Sequence, residues 1–119
     1  MRDLVIKCTA GADEPERCNQ AFTVAAAAVA SGARVSLWLT GEATWLAVPG
    51  RAEGFSLDLA TPLDQLRDVV LAEGSLTVCS QCAQRRGLVQ GDLVAGTNVA
   101  GAALFTEAIL SDGVQALVY

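Results

Sequence analysis

Two short β-branched apolar runs bracket one long helical stretch near the start of this chain, and that arrangement limits the fold more than any other feature. Leu4-Val5-Ile6-Lys7-Cys8 and Arg34-Val35-Ser36-Leu37-Trp38-Leu39 are the runs. Between them the spacing predicts a helix from about Asp13 to Ser31, stopped by Gly32. Strand, helix and strand within about 35 residues form a βαβ unit, so the two strands should be parallel and the crossover right-handed. Both runs are almost wholly apolar, as strands covered on two faces are. Asp13 and Glu16 stand at capping-box spacing, and Pro15 falls in the first turn, where its missing N–H costs nothing. Cys18, Phe22, Ala25 or Ala26, and Val29 share one helical face.

The alternation continues. Gly41 to Val48 reads as a short helix closed by Pro49-Gly50. Residues 49–61 are ambiguous between an edge-like strand, with Phe55, Leu57 and Leu59 alternating, and a packed loop. Thr61-Pro62 is a cap followed by a first-turn proline. The helix it opens carries Leu63, Leu66, Val69 and Val70 on its inner face and ends at Gly74. Ser75 to Cys79 is a buried strand that hands over at once to a helix from Ser80 to Gly87, with Ser80 as the expected cap. A single turn near Gly91–Val94, a short strand near 96–99, a helix with Leu104, Phe105, Ala108 and Ile109 inward, and a closing strand from Val114 to Val118 complete the chain. This order predicts one α/β domain over 1–119: flavodoxin-like, three-layered, with a mostly parallel sheet.

Composition narrows the function. The net charge is −5 without a basic cluster, which argues against nucleic acid, whose affinity rests on phosphate neutralisation. No apolar run approaches the ~18 residues of a membrane span. Met1-Arg2-Asp3 leads straight into the first strand, too short a lead for a signal peptide. The expected location is cytoplasmic, where thiols stay reduced. The chain is 52% hydrophobic but only 5% aromatic, and that apolar surplus points to a homo-oligomer.

There is no histidine, and there are four cysteines: Cys8, Cys18, Cys79 and Cys82. Triads that need histidine, and histidine-containing zinc sites, are therefore excluded. Cys18 shares the apolar stripe of the first helix and reads as core. Cys8 ends the first strand and Cys79 ends the strand before the Ser80 helix, on the rim where ligands bind in open α/β sheets. Unpaired N–H groups at a helix start favour the thiolate, the form that attacks sulfur. Cys79 and Cys82 thus become the candidate catalytic thiols. Cys8, as a third rim thiol, and Thr9, Gly11 and Ser80, as residues whose amides would hold a sulfur anion, are the candidate substrate-binding residues. Two alternatives share the same residues. Four cysteines could hold zinc, although a second Cys-x-x-Cys is missing. The pair could also be a dithiol redox centre, similar to thioredoxin in spacing only. Arg85 and Arg86 either complement the helix dipole or attract an anionic donor.

Val78-Cys79, followed by Ala83-Gln84-Arg85-Arg86-Gly87-Leu88 after a Thr-Pro-started helix, resembles the DsrE/DsrF/TusD family of sulfur-relay proteins. The Ala100-Gly101-Ala102-Ala103 helix start, the Ser111-Asp112 turn and the final strand are similar to it as well. The resemblance implies a flavodoxin-like fold assembled into trimers or hexamers. It also implies a persulfide on the cysteine matching Cys79, sulfur donor and acceptor proteins as partners, and no bound cofactor. Cys82 departs from the pattern, standing where a small apolar residue is usual.

Overall fold

β1 (Asp3–Cys8) is hydrogen-bonded on both edges, to β2 (Arg34–Leu39) on one side and β5 (Val114–Val118) on the other. Beyond β2 lie β3 (Ser75–Cys79) and β4 (Asn98–Ala100), giving a five-stranded sheet in the order β4-β3-β2-β1-β5. Every pairing is parallel. The computed structural model describes residues 2–119, so the Met1 end of the lead read from the sequence lies outside the described residues. The helices are α1 (Pro15–Ala30), α2 (Leu63–Glu73), α3 (Ser80–Arg85) and α4 (Ala102–Ile109), with 3-10 segments at Gly41–Ala47 and Gln90–Asp92. Among the described residues no helix is long and apolar enough to cross a membrane.

The two faces of the sheet are covered unequally. Ile6, Cys8, Leu37, Leu39, Leu76 and Val78 point into the main core. There they meet Phe22 and Ala25 of α1, Leu63 and Val70 of α2, Leu46 of the 3-10 segment and Ala83 of α3. The alternate residues Val5 and Trp38 point the other way, where Phe105 of α4 is their main cover. Trp38 and Phe105 meet edge to face at 5.3 Å, and the Lys7 ammonium sits 4.0 Å from the Phe105 ring centre. The strand order explains the imbalance. Right-handed crossovers that step from β1 through β4 in one direction all fall on one face, and only the return from β4 to β5 crosses the other.

Several local expectations shift in the structure. α1 does begin at Pro15, but the Asp13–Glu16 capping box does not form: Asp13 Oδ1 instead accepts the Gly11 N–H at 2.8 Å. α2 starts at Leu63 with Pro62 as its cap, one residue later than the Thr61-Pro62 signal implies. On α2, Val69 is exposed and Arg67 is buried in its place, donating to Glu53 at 3.1 Å and paired with Asp68. That contact ties the 49–61 segment down as a packed loop rather than a strand, with Phe55 against the core. Leu59, which alternates with Phe55 and Leu57 in the strand alternative, is fully exposed with φ +61°. Leu104 also faces outward, while Phe105, Ala108 and Ile109 face in as expected.

Candidate functional site

In open α/β sheets ligands bind beyond the carboxyl ends of the strands, where neighbouring strands send their connections to opposite faces. Here that point lies between β3 and β4. The helix after β3 packs Ala83 into the main core, whereas the helix after β4 packs Phe105 against the opposite face. Cys79 is the last residue of β3, paired with Ala100 at the end of β4. The candidate nucleophile therefore stands at the opening the topology creates. Gly101, the N-cap of α4, lies beside the start of α3: a Cβ there would be in contact with Ser80 Oγ, at 3.4 Å.

Cys79 is the N-cap of α3, with extended backbone at φ −61° and ψ 125°, and its side chain is half-buried. Burial pushes its thiol up. That effect is outweighed by the Cys82 amide and thiol, the Gln81 amide and the Arg85 charge, and the net direction is down. A thiol so placed ionises more readily than a free cysteine. Ser80 is not the cap predicted from the sequence. It is the first helical residue, half-buried beside Cys79.

Cys82, one turn later, is only 7% exposed. Its sulfur accepts a hydrogen bond from the Gly41 N–H at 3.3 Å. Gly41 has φ +53°, and a Cβ on it would meet the Thr9 carbonyl oxygen at 2.8 Å. Left-handed backbone and a backbone clash each penalise a side chain. Gly41→Ala is accordingly expected to lose roughly 1–3 kcal/mol of stability, read as a lower urea midpoint with an unchanged m-value. The neighbouring Glu42 accepts from Arg86 at 2.8 Å, and Arg86 also donates to the Cys82 carbonyl at 3.1 Å. Glu42, which has no partner evident in the sequence, thereby locks the Gly41 turn to α3.

The other candidates fare differently. Cys8 ends its strand as expected, yet it is not a rim thiol: it is 0% exposed, and its Sγ donates to the Ala10 carbonyl at 3.2 Å. Its neighbour is Cys18, also fully buried, whose thiol is pushed well up by its hydrogen bond to Cys8 and by burial. Thr9 and Gly11 lie on the loop beyond β1, but their amides are already engaged. The Thr9 N–H donates to the Tyr119 carbonyl at 2.8 Å and the Gly11 N–H to Asp13. Neither is free to hold a sulfur anion, contrary to the sequence-based expectation. Gly11 instead serves close packing, since a Cβ there would sit 2.5 Å from the Glu42 carbonyl oxygen. Among the described residues no three Cys, Asp or Glu side chains converge as a metal site would need. Gly41 was invisible to sequence reasoning, because a backbone donor leaves no side-chain signature. Its one available signal was a glycine two residues after a strand.

Known proteins share this architecture. The ychN protein from E. coli superposes with a TM-score of 0.83 at 18% identity, over 100% of each chain. MTH1491 from Methanobacterium thermoautotrophicum, a protein of unknown function, gives 0.70 at 9% identity over 100% of each chain. BT1422 from Bacteroides thetaiotaomicron, a conserved protein of unknown function, gives 0.66 at 15% identity over 98% of this chain and 94% of its own. At these identities the likeness concerns the fold. No curated protein matches the sequence. The sequence profile of the DsrE/DsrF-like family matches residues 3–118, nearly the whole length, and the chain belongs to that family.

Proposed function

We propose that this protein is a sulfur carrier: it accepts sulfane sulfur as a persulfide on Cys79 and gives it up to a second sulfur centre. The observation that carries this reading is the half-buried Cys79 sulfur at the β3/β4 opening, beside amides that draw its thiol toward the thiolate. A persulfide placed there is itself an anion near neutral pH, and the same donors favour it. Arg85, exposed on α3, adds positive charge that suits an anionic donor. Membership of the DsrE/DsrF-like family supports the assignment. The reading includes a reducing, cytoplasmic setting, donor and acceptor proteins, and assembly into homotrimers or homohexamers. Assembly has its own support in the thinly covered sheet face and in the exposed apolar residues Leu104, Leu110 and Val118.

The test loads the Cys82→Ser protein with glutathione persulfide and reads intact mass. The expected result is a gain of one sulfur atom that dithiothreitol removes, with no gain in a Cys79→Ser/Cys82→Ser double variant. Equal uptake by both variants would take the role from Cys79.

A further inference from the structure

Two sulfurs meet at this corner with different access. Cys79 is open enough to react with a donor, whereas Cys82 is 7% exposed and lies under the Gly41 turn. Cys82 follows Cys79 by three residues, one turn along at the start of α3, a spacing that sets the two side chains on the same side of the helix start. A covered thiol beside an open one is shielded from outside reagents and has one partner within reach. The Gly41 N–H then has a chemical use. It points at Cys82 Sγ from 3.3 Å, and the Glu42–Arg86 pair and the Arg86 contact to the Cys82 carbonyl hold it there. An amide that donates to a sulfur fixes where that sulfur lies, and here it holds Cys82 Sγ beside the first turn of α3.

We propose, resting on the carrier reading above, that Cys82 resolves the Cys79 persulfide internally, so that the sulfane sulfur leaves as hydrogen sulfide. Cys82 Sγ attacks the inner sulfur, Cys79 Sγ, and the bond between Cys79 Sγ and the outer sulfur breaks. The outer sulfur departs with that bonding pair, takes the Cys82 proton, and leaves as HS⁻. One hydrogen and one negative charge stand on each side of the step. The sulfane sulfur is reduced to sulfide as the two cysteines are oxidised to a disulfide. An external dithiol reductant then restores both thiols in a separate exchange. Side chains three apart at a helix start have Cβ atoms about 5–6 Å apart, and a disulfide needs about 3.5–4.5 Å. Closure therefore asks for a small rotation, which Cys79 can supply because its backbone is extended and lies outside the helix. The protein would act as a persulfide reductase as much as a carrier.

The experiment follows one turnover with glutathione persulfide under anaerobic conditions, without added dithiol. Glutathione persulfide leaves glutathione, not sulfide, on donating its outer sulfur. Wild-type protein is expected to release one sulfide per chain and to finish two hydrogens lighter, as the internal disulfide. Cys82→Ser is expected to retain the added sulfur and release sulfide roughly tenfold or more slowly. Wild-type protein that keeps the added sulfur and forms no disulfide would overturn the proposal, and that measurement needs no variant to fold. Sulfide release from Cys82→Ser at the wild-type rate would overturn it equally. Failure of Cys82→Ser to take up any sulfur would instead bring down the carrier reading, and this proposal with it.

Discussion

Iodoacetamide should modify Cys79 first, with Cys8 and Cys18 slower by a factor on the order of a thousand or more in the native protein. The two core cysteines are 0% exposed, so reagent reaches them only when the structure opens. With a global opening free energy of about 5 kcal/mol or more, their labelling is suppressed by at least about that factor. Cys79 needs no opening. Its labelling rate follows its thiolate fraction, and its thiol is held below the ordinary value. The sign is therefore fixed: the rate reaches half its plateau at a lower pH in the native protein than in the urea-unfolded chain. Site-resolved mass spectrometry across a pH series reads both effects. Rapid native labelling of Cys8 would contradict its place in the core, and a Cys79 inflection at or above the unfolded value would contradict the account of its surroundings.

Phe22→Ala should cost about 3–5 kcal/mol, a large part of the roughly 5–15 kcal/mol that holds a domain of this kind together. Phe22 is fully buried on α1 and belongs to the cluster with Ile6, Leu37 and Leu76. Cys18, Ala21 and Ala25, which line the same helix, are too small to fill the hole. The resulting cavity would lie under both β1 and β2. Phe105→Ala makes a useful contrast. Phe105 covers the thin face with Trp38 and Val5 and is 7% exposed. The open surroundings there can collapse or admit water, so the loss should be smaller. Urea unfolding of both variants measures the difference, and a larger loss at Phe105 would mean that the thin face carries more of the stability than its cover suggests.

Much of the fold was legible in the residues because the relevant forces are local. The four apolar runs, the glycine stops at Gly32 and Gly74, and the strand-to-helix handover at Cys79 each follow from propensity and periodicity within a dozen positions. Strand order was not legible: nothing in a parallel run says which neighbours it takes, so the β3/β4 opening had to be seen in the structure. Cap residues misled for a similar reason. Asp13 and Ser80 have the right chemistry for capping, but Asp13 is drawn to the Gly11 amide and Ser80 is already inside the helix. Cys8 shows the limit most clearly. Being last in a strand sets its height along the sheet, while the alternation of side chains sets the face, and its face is the covered one. Thr9 and Gly11 were misread because their amides are consumed by partners remote or irregular in sequence, Tyr119 and Asp13.

The position of β1 between β2 and β5 has a consequence for biosynthesis. Asp3 pairs with Val114, and Lys7 with Val118, so one edge of the earliest strand waits for the last one. At roughly 5–20 residues per second a ribosome leaves that edge unpaired for several seconds to about 20 s. During that interval the nascent chain offers a ready template to other extended chains. Cellular holdases would find their opportunity there, before Tyr119 reaches the loop at Thr9 and seals the seam.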